Sequence, residues 1–480
     1  MLEARAHDQL KALLRREGSD RWPHHLSLSR LVARSLRRCD HTLVRLVPGS
    51  DPSWLISLLV PLSLSEAPLA MVVSPALRQR LLQVELPRLL AADRSLALPC
   101  VEGPDPGTAR VWLLSHRQLV DAWQRGHLAD RQLVIPEAEL LDTHLREALE
   151  IELLPEHWDQ LRRAHPQAEE SLLTLHGRLS RRVLSQPRHP LGLVPLAADD
   201  EAPLRQLLAL LGDLPGPWRP WLAHGDEGWA SWAQRDPRLL QWSLHRQPLE
   251  PVRALAGLLQ ARGAVVVGQL GTGSHPSALL GLEPDVTVDL GDPPLADPLS
   301  LYAPLRQPLP NSPCFRDHLL EQCRRLVLGQ GGLTVVLADD EGLRLGLASG
   351  LAAEFGSRVV AESTAPDSNG VLCCSWSWWL EHQMRLPLPG QIVVGLLPIA
   401  SLEDPLTAAQ VQHLRRQGRD WFRERLLPDG LTRLQLAVAG LRRQGGRLAI
   451  LDGRLRGRSW GRQVLGALEP WVSLHRLLPH

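Results

Sequence analysis

The sequence predicts an α/β fold of two parallel-sheet lobes, with a helical insertion in the first. Three observations carry this. Short apolar runs bounded by turn residues recur along the chain and alternate with stretches of helical period, the pattern of strands buried between helices. The alternation is interrupted once, between about 141 and 236, by helical segments joined through Pro- and Trp-rich connections. With 480 residues, 44% of them hydrophobic, the chain can bury two or three cores.

Taken in order, Leu28, Leu31, Val32 and Leu36 recur at helical spacing, and the apolar run Leu43 to Val47 then predicts a buried strand. Pro48-Gly49-Ser50-Asp51-Pro52-Ser53 is turn-rich, and Trp54 to Val60 returns to a helical pattern, so this unit reads strand, loop, helix. Further buried strands are predicted at Ala70 to Ser74, Ala109 to Leu114 and Gln132 to Ile135, with helices at Ala76 to Leu90 and Arg117 to Arg125. Residues 1–140 form the first part of lobe one, 141–236 the insertion, and 237–295 the second part of the lobe, with strands at Leu239 to Leu244 and Ala264 to Gly268. A Pro-rich crossing, Pro293 to Pro313, leads into the second lobe, 296–480. There the pattern predicts helices at Phe315 to Val327 and Glu341 to Phe355, and strands at Leu333 to Ala338, Val371 to Cys374, Gln391 to Leu396 and Arg447 to Leu451.

Composition excludes several classes of function. Apolar segments such as Trp54 to Leu64 are too short or too broken to span a bilayer, so no membrane helix is expected. The opening residues Met1 to Asp8 mix charges without an apolar signal core, which points to the cytoplasm. Six cysteines show no C-x-x-C spacing, and no H-E-x-x-H occurs, so reduced thiols and no metal site are expected. No G-x-S-x-G elbow nominates a serine nucleophile. A net charge of +1 means that any nucleic-acid surface must be local. Lys11 is the single lysine, so neither a phosphate-loop lysine nor a Schiff-base lysine is available beyond the leading helix.

Three features invite a functional reading beside a plain one. Gly271-Thr272-Gly273-Ser274 follows an apolar strand and reads either as a phosphate cradle or as a sharp turn; the dinucleotide fingerprint needs glycine where Pro276 stands. Trp218, Trp221, Trp229 and Trp232 can stack bases, but in a chain with 3 Phe and 1 Tyr they are read as core. Arg442, Arg443, Arg447, Arg454, Arg456, Arg458 and Arg462 stand against the single acid Asp452 and read either as phosphate contacts or as a solvated face.

The order of segments resembles the DinG/XPD branch of superfamily 2 DNA helicases, from about Trp22 to about Leu468. In the second half Ser377-Trp378-Trp379 is similar to the family's S-F-W-E-G-V-D, followed by Leu396-Leu397-Pro398, Asp404-Pro405, Gly418-Arg419-Asp420-Trp421-Phe422, Leu427-Pro428, Leu451-Asp452-Gly453-Arg454 and Trp460-Gly461. In the first half Leu43 to Ser53 stands at the Walker A loop, Val73-Ser74-Pro75 at motif Ia and Leu114-Ser115-His116 at the strand that ends in N-H. Ile135-Pro136-Glu137-Ala138-Glu139 resembles the D-E-A-H motif, Gly268-Gln269-Leu270-Gly271 stands at motif III and Leu280-Gly281-Leu282 at the following L-G-L. The resemblance implies two RecA-like lobes, with an arch-like insertion after the D-E-A-H motif.

By the same resemblance, Gly49, Ser50, Ser53 and Arg443 are remnants of nucleotide binding, Glu137 is the remnant of the water-activating carboxylate, and ATP and magnesium would be the cofactors. Ser74, Trp378, Trp379, Arg447, Arg454 and Arg458 are the expected nucleic-acid contacts, with DNA the expected polymer. The departures are as informative as the matches. Pro52 replaces the Walker lysine, Pro136 the magnesium-binding aspartate and Glu139 the histidine, while motif VI, Leu436 to Arg443, keeps its last arginine alone. An arginine finger by itself is worth about 10³ to 10⁵ in rate, so a chain lacking lysine, aspartate and arginine is expected to hydrolyse little ATP. The family's iron–sulfur cluster needs four cysteines between motifs I and II; Cys100 stands there alone, and no cluster is expected. Three readings follow: a helicase-derived nucleic-acid-binding scaffold or regulator without motor activity, a diverged active DNA helicase in which Arg45 or Arg443 stands in for lysine, or a protein-interaction module.

Overall fold

The computed structural model describes residues 1–18, 22–186, 191–225, 227–236, 238–254, 256–261, 263–270, 280–291 and 298–474, without the side chains of 254, 256, 260, 261, 443 and 444. The candidate phosphate loop Gly271 to Ser274 and the Arg443 side chain therefore lie outside the described residues. Two compact units emerge: Met1–Glu139 with Gly257–Ile399 and Leu427–His480, and Leu140–Ala256 with Ala400–Leu426.

The strands, in chain order, are β1 Thr42–Leu46, β2 Leu69–Val72, β3 Cys100–Val101, β4 Val111–Leu114 and β5 Gln132–Ile135, then β6 Ile151–Leu153, β7 Leu193–Pro195, β8 Trp229–Asp236 and β9 Gln241–Pro248. They continue with β10 Ala264–Gln269, β11 Val286–Leu290, β12 Leu299–Tyr302, β13 Thr334–Leu337, β14 Val359–Ala361, β15 Val371–Cys374, β16 Gln391–Val394, β17 Arg447–Ile450 and β18 Trp471–Ser473.

The first unit holds two seven-stranded sheets, ordered β11-β1-β10-β5-β2-β4-β3 and β14-β15-β13-β16-β17-β12-β18, with every pairing parallel. Parallel strands packed by helices on both faces must be apolar on both, and β2, β4 and β5 are buried at every position. In the first sheet Val44, Met71, Leu113, Val134 and Val265 pack with the helices Leu2–Glu17, His25–Arg38 and Trp54–Leu64. Trp54–Leu64 is buried from Trp54 to Ser63, as a helix apolar all round must be. In the second sheet Leu372, Val335, Ile392 and Leu448 face the helices Trp376–His382 and Leu427–Gln444, whereas Cys373, Val336, Val393 and Ala449 face Phe315–Leu328 and Glu341–Phe355. The adjacent thiols Cys373 and Cys374 thus point to opposite faces, and burial raises both pKa values, Cys373 to about 12.

The second unit corrects the expected organisation. It is not purely helical: an antiparallel sheet, β6-β9-β8-β7, packs on the helices Pro155–Ala164, Glu169–Ser185 and Ala198–Leu211 around Trp158, Trp218 and Trp221. The strand expected at Leu239 to Leu244 for the first lobe belongs to this sheet as β9, so the insertion runs on to Ala256 instead of ending at 236. It also recruits Ala400–Leu426, where Arg425 pairs with Asp142, itself bridged to Arg146 at 2.7 Å. Burial would raise the Asp142 pKa, but the two guanidiniums outweigh it and hold the carboxyl below the ordinary carboxylate value. No helix of the described residues is long and apolar enough to cross a membrane.

Candidate functional site

In open parallel sheets ligands bind beyond the carboxyl ends of the strands. In the first lobe those ends are the loop after β1, Ser74 after β2, Ser115 after β4, Pro136 to Glu139 after β5, and Gln269 at the end of β10. Gly49 adopts φ 96°, which glycine alone takes easily. Its amide donates to Gln269 Oε1 at 2.7 Å, and a Cβ placed on it would meet the Ala439 Cβ at 3.4 Å, so the helix Leu427–Gln444 packs against the loop. Ser50 turns inward, its amide and Oγ donating to the Val47 carbonyl at 3.0 and 2.7 Å. Ser53 closes the loop through its amide, bonded to Asp51 Oδ1 at 2.8 Å, and its Oγ lies 3.5 Å from His25 Nε2. Arg45, the proposed stand-in for lysine, lies on β1 with Asp289 at 3.7 Å.

The carboxylates after β5 are engaged in the same way. Glu137 accepts from the Ser74 amide at 2.9 Å and the Ser74 hydroxyl at 3.0 Å, while Ser74 caps the helix Pro75–Arg80 by accepting from the Leu77 amide. Glu139 accepts from the Gln269 amide at 3.0 Å. This close approach depends on Gly268, where a Cβ would fall 2.5 Å from that of Ala138. Gln269 therefore bridges, its backbone holding Glu139 and its side chain holding Gly49. Burial raises the Glu137 pKa against the Ser74 bonds, and pushes Glu139 up to about 8, with the Glu137 charge adding to the rise. With its pKa near 8, Glu139 makes a poor cation ligand at neutral pH, and burial works against the charged form of Glu137 as well. Among the described residues no cluster of three or more His, Cys, Asp or Glu is arranged to hold a metal.

In the second lobe the sequence-predicted nucleic-acid residues separate into two groups. Trp379 is 1% exposed, with its Nε1 donating to the Ala437 carbonyl at 3.1 Å, and Arg447 is buried against Gln391 Oε1 at 2.7 Å and the Leu326 carbonyl. Both act as core props, which leaves them no free face for a base or phosphate. Arg454 is fixed on the buried Asp452, which also accepts from the Leu397 amide at 2.8 Å. Arg442 donates to the carbonyls of Leu468 and Pro470. By contrast, Trp378 is half-buried and stacked on His382 at 4.3 Å, and Arg456, Arg458 and Arg462 are exposed. Ser74 is buried at its helix cap.

Sequence reasoning did not single out Gln269, Glu139, Ala439 or the second-lobe pair Ser375 and Glu362 as interacting groups. Ser375 ends β15 and caps Trp376–His382, and both its amide and its hydroxyl donate to Glu362, at 3.0 and 2.7 Å. A serine directly before a helical run is a local signal that could have found these caps.

No family model matches the chain. Over 210 residues it is 26% identical to the ATP-dependent DNA helicase YoaA of Escherichia coli (strain K12), a match spanning 41% of this chain and 33% of that protein. Among solved structures, one described as XPD_APO superposes with a TM-score of 0.60 at 13% identity, covering 93% of this chain and 100% of that one. The S. tokodaii Xpd4 structure gives 0.57 at 11% identity, covering 92% and 97%. At such identities the likeness is one of fold. Two parallel lobes, interrupted after β5 by a separate unit, thus give this chain the fold of the XPD structures.

Proposed function

We propose that this chain is a helicase-related nucleic-acid-binding protein that does not run as an ATP-driven motor. The observation that carries the reading is the use of the Gly49 amide. In a phosphate-binding loop that donor faces the ligand; here Gln269 takes it and Ala439 packs over it. Three further features support the same reading: a loop without lysine, Pro136 in place of a metal-binding carboxylate, and a Glu137 whose pKa burial raises. DNA is the polymer favoured by the resemblance to YoaA, a protein named as a DNA helicase. The half-buried Trp378 and the exposed Arg458 and Arg462 are the groups best suited to contact it, through base stacking and phosphate pairing.

The test is ATP turnover by the purified chain with and without single-stranded DNA, alongside fluorescence anisotropy at low and moderate salt. The expected result is no DNA-stimulated turnover, with binding that weakens as salt rises and falls further in the Arg458→Glu, Arg462→Glu double variant. DNA-stimulated turnover that disappears in Glu137→Gln would establish an active, unconventional helicase instead. A chain with neither turnover nor salt-sensitive binding would be a protein-interaction module.

A further inference from the structure

The second lobe carries an open crevice beside the Leu451 to Arg454 segment. β12 and β17 are neighbours in the sheet, yet the chain leaves them toward opposite faces. After β12 it reaches the helix Phe315–Leu328, which packs with Val336, Val393 and Ala449; after β17 it reaches Leu455 and the helix Gly461–Ala467, which pack with Ile392, Leu448 and Ile450. Such a parting of loops beyond the carboxyl ends of adjacent parallel strands is where open α/β sheets place ligands. The loops also part between β13 and β15, but there Asp339 closes the gap by accepting from the Trp376 amide at 3.0 Å. Between β12 and β17 a cavity of about 750 Å³ remains.

The walls of this cavity are built rather than casual. Asp452 and Arg454 lock the loop after β17, and a Cβ on Gly453 would collide with the Pro308 carbonyl, so the two loops touch at the floor. His318 holds the opposite wall by bonding Gln307 Oε1 at 2.9 Å. Arg306 projects from the first loop and Arg456 from the second, and no carboxylate pairs with either among the described residues. Asp317 is the one acid among the lining residues, so cations outnumber acids, and the exposed Leu305 and Leu309 add an apolar ledge. Two guanidinium forks beside an apolar ledge, in a space of this size, suit an anionic group carried on a flat organic body.

We infer that this crevice is a second-lobe binding site for the phosphate of a nucleotide, separate from the loop after β1. The phosphate pairs with Arg306 and Arg456, and the base or sugar lies on Leu305 and Leu309. The same chemistry is offered by a free nucleotide and by the phosphorylated end of a DNA strand. Cys314, exposed on the rim, supplies a reporter.

The experiment titrates AMP into the full chain by calorimetry and follows alkylation of each cysteine by mass spectrometry. Binding that weakens about tenfold or more in Arg306→Glu and Arg456→Glu, together with AMP protection of Cys314 but not of the exposed Cys39, is the expected result. Competition by a phosphate-terminated thymidine oligonucleotide, absent with its dephosphorylated form, would make a strand end the ligand; no competition would make it the free nucleotide. Alkylation of wild-type Cys314 unaffected by either ligand overturns the site without reliance on any variant. Binding lost in Ser50→Asp but kept in Arg456→Glu overturns it too, by placing the nucleotide at the loop after β1.

Discussion

The two lobes repeat one device and tune it in opposite directions. In each, a serine follows an inner strand, caps the next helix and gives both its amide and its hydroxyl to a glutamate: Ser74 to Glu137 in the first lobe, Ser375 to Glu362 in the second. Around Glu137 burial dominates and raises the pKa. Around Glu362 burial pulls the same way, but the Ser375 bonds and Arg344, 3.4 Å away, outweigh it and hold the carboxyl below its ordinary value. The difference teaches that shared geometry fixes where the carboxylate sits, while the neighbouring cation and solvent decide its charge. The first lobe spends its strand-end donors on buried acids whose pKa values are raised, and the second on a carboxylate whose pKa is lowered.

The contrast can be broken at several points. The largest effect is expected in the second lobe, from Asp452→Ala, which strips a buried acceptor from the Leu397 amide and leaves Arg454 with the Leu397 carbonyl but no carboxylate; a loss of about 3 kcal/mol in denaturant unfolding follows. A loss below about 1 kcal/mol would show that this lock does not hold the loop.

The opposite sign is expected from Glu139→Gln in the first lobe. The Glu139 pKa rises from 4.5 to about 8 on folding. Between those values the unfolded chain has released a proton that the folded chain keeps, so wild-type stability falls as pH climbs through the window and levels off above it. The glutamine can still accept from Gln269, so its melting temperature should exceed wild type by about 3 °C or more near pH 8 and match it near pH 4. A gain of equal size at both pH values would sink this account.

Glu362→Gln tests the other half of the pair. A depressed pKa stabilises above the unfolded value and loses that contribution as pH falls through the folded one, so this variant should lose stability at neutral pH and none in acid. Solvent reaches this carboxylate, which keeps the loss to about 1 kcal/mol or less. Smallest for stability is Trp378→Ala. It removes a partly exposed ring stacked on His382, should leave the melting temperature within about 1 °C, and should weaken single-stranded DNA binding about fivefold or more. Unchanged DNA binding would remove Trp378 from the proposed contact surface.

Much of the lobe architecture was legible because buried parallel strands announce themselves as short apolar runs: Gln132–Ile135 and Val371–Cys374 fall where the pattern placed them, as does the helix Glu341–Phe355. Most of the antiparallel sheet was not legible. β6 and β7 are three residues long, and β8 carries Gln and Arg among its apolar positions, a pattern that alternates too weakly to separate from loop, while the start of β9 was read as a strand but given to the first lobe. β12 was hidden inside a Pro-rich crossing. At the candidate site, the positions of Gly49 and Glu137 could be read from order alone. Their partners could not: Gln269 is 220 residues from Gly49, Ala439 lies in the other lobe, and such contacts leave no trace in local spacing.

The lone lysine has a practical consequence. Lys11 is exposed on the helix Leu2–Glu17, whose other side buries Ala6, Leu10, Leu13 and Leu14. Acetylation, ubiquitin ligation or an amine-reactive dye aimed at side chains has one address in this sequence, and a lysine-specific protease has one bond to cut, where an arginine-specific protease has dozens.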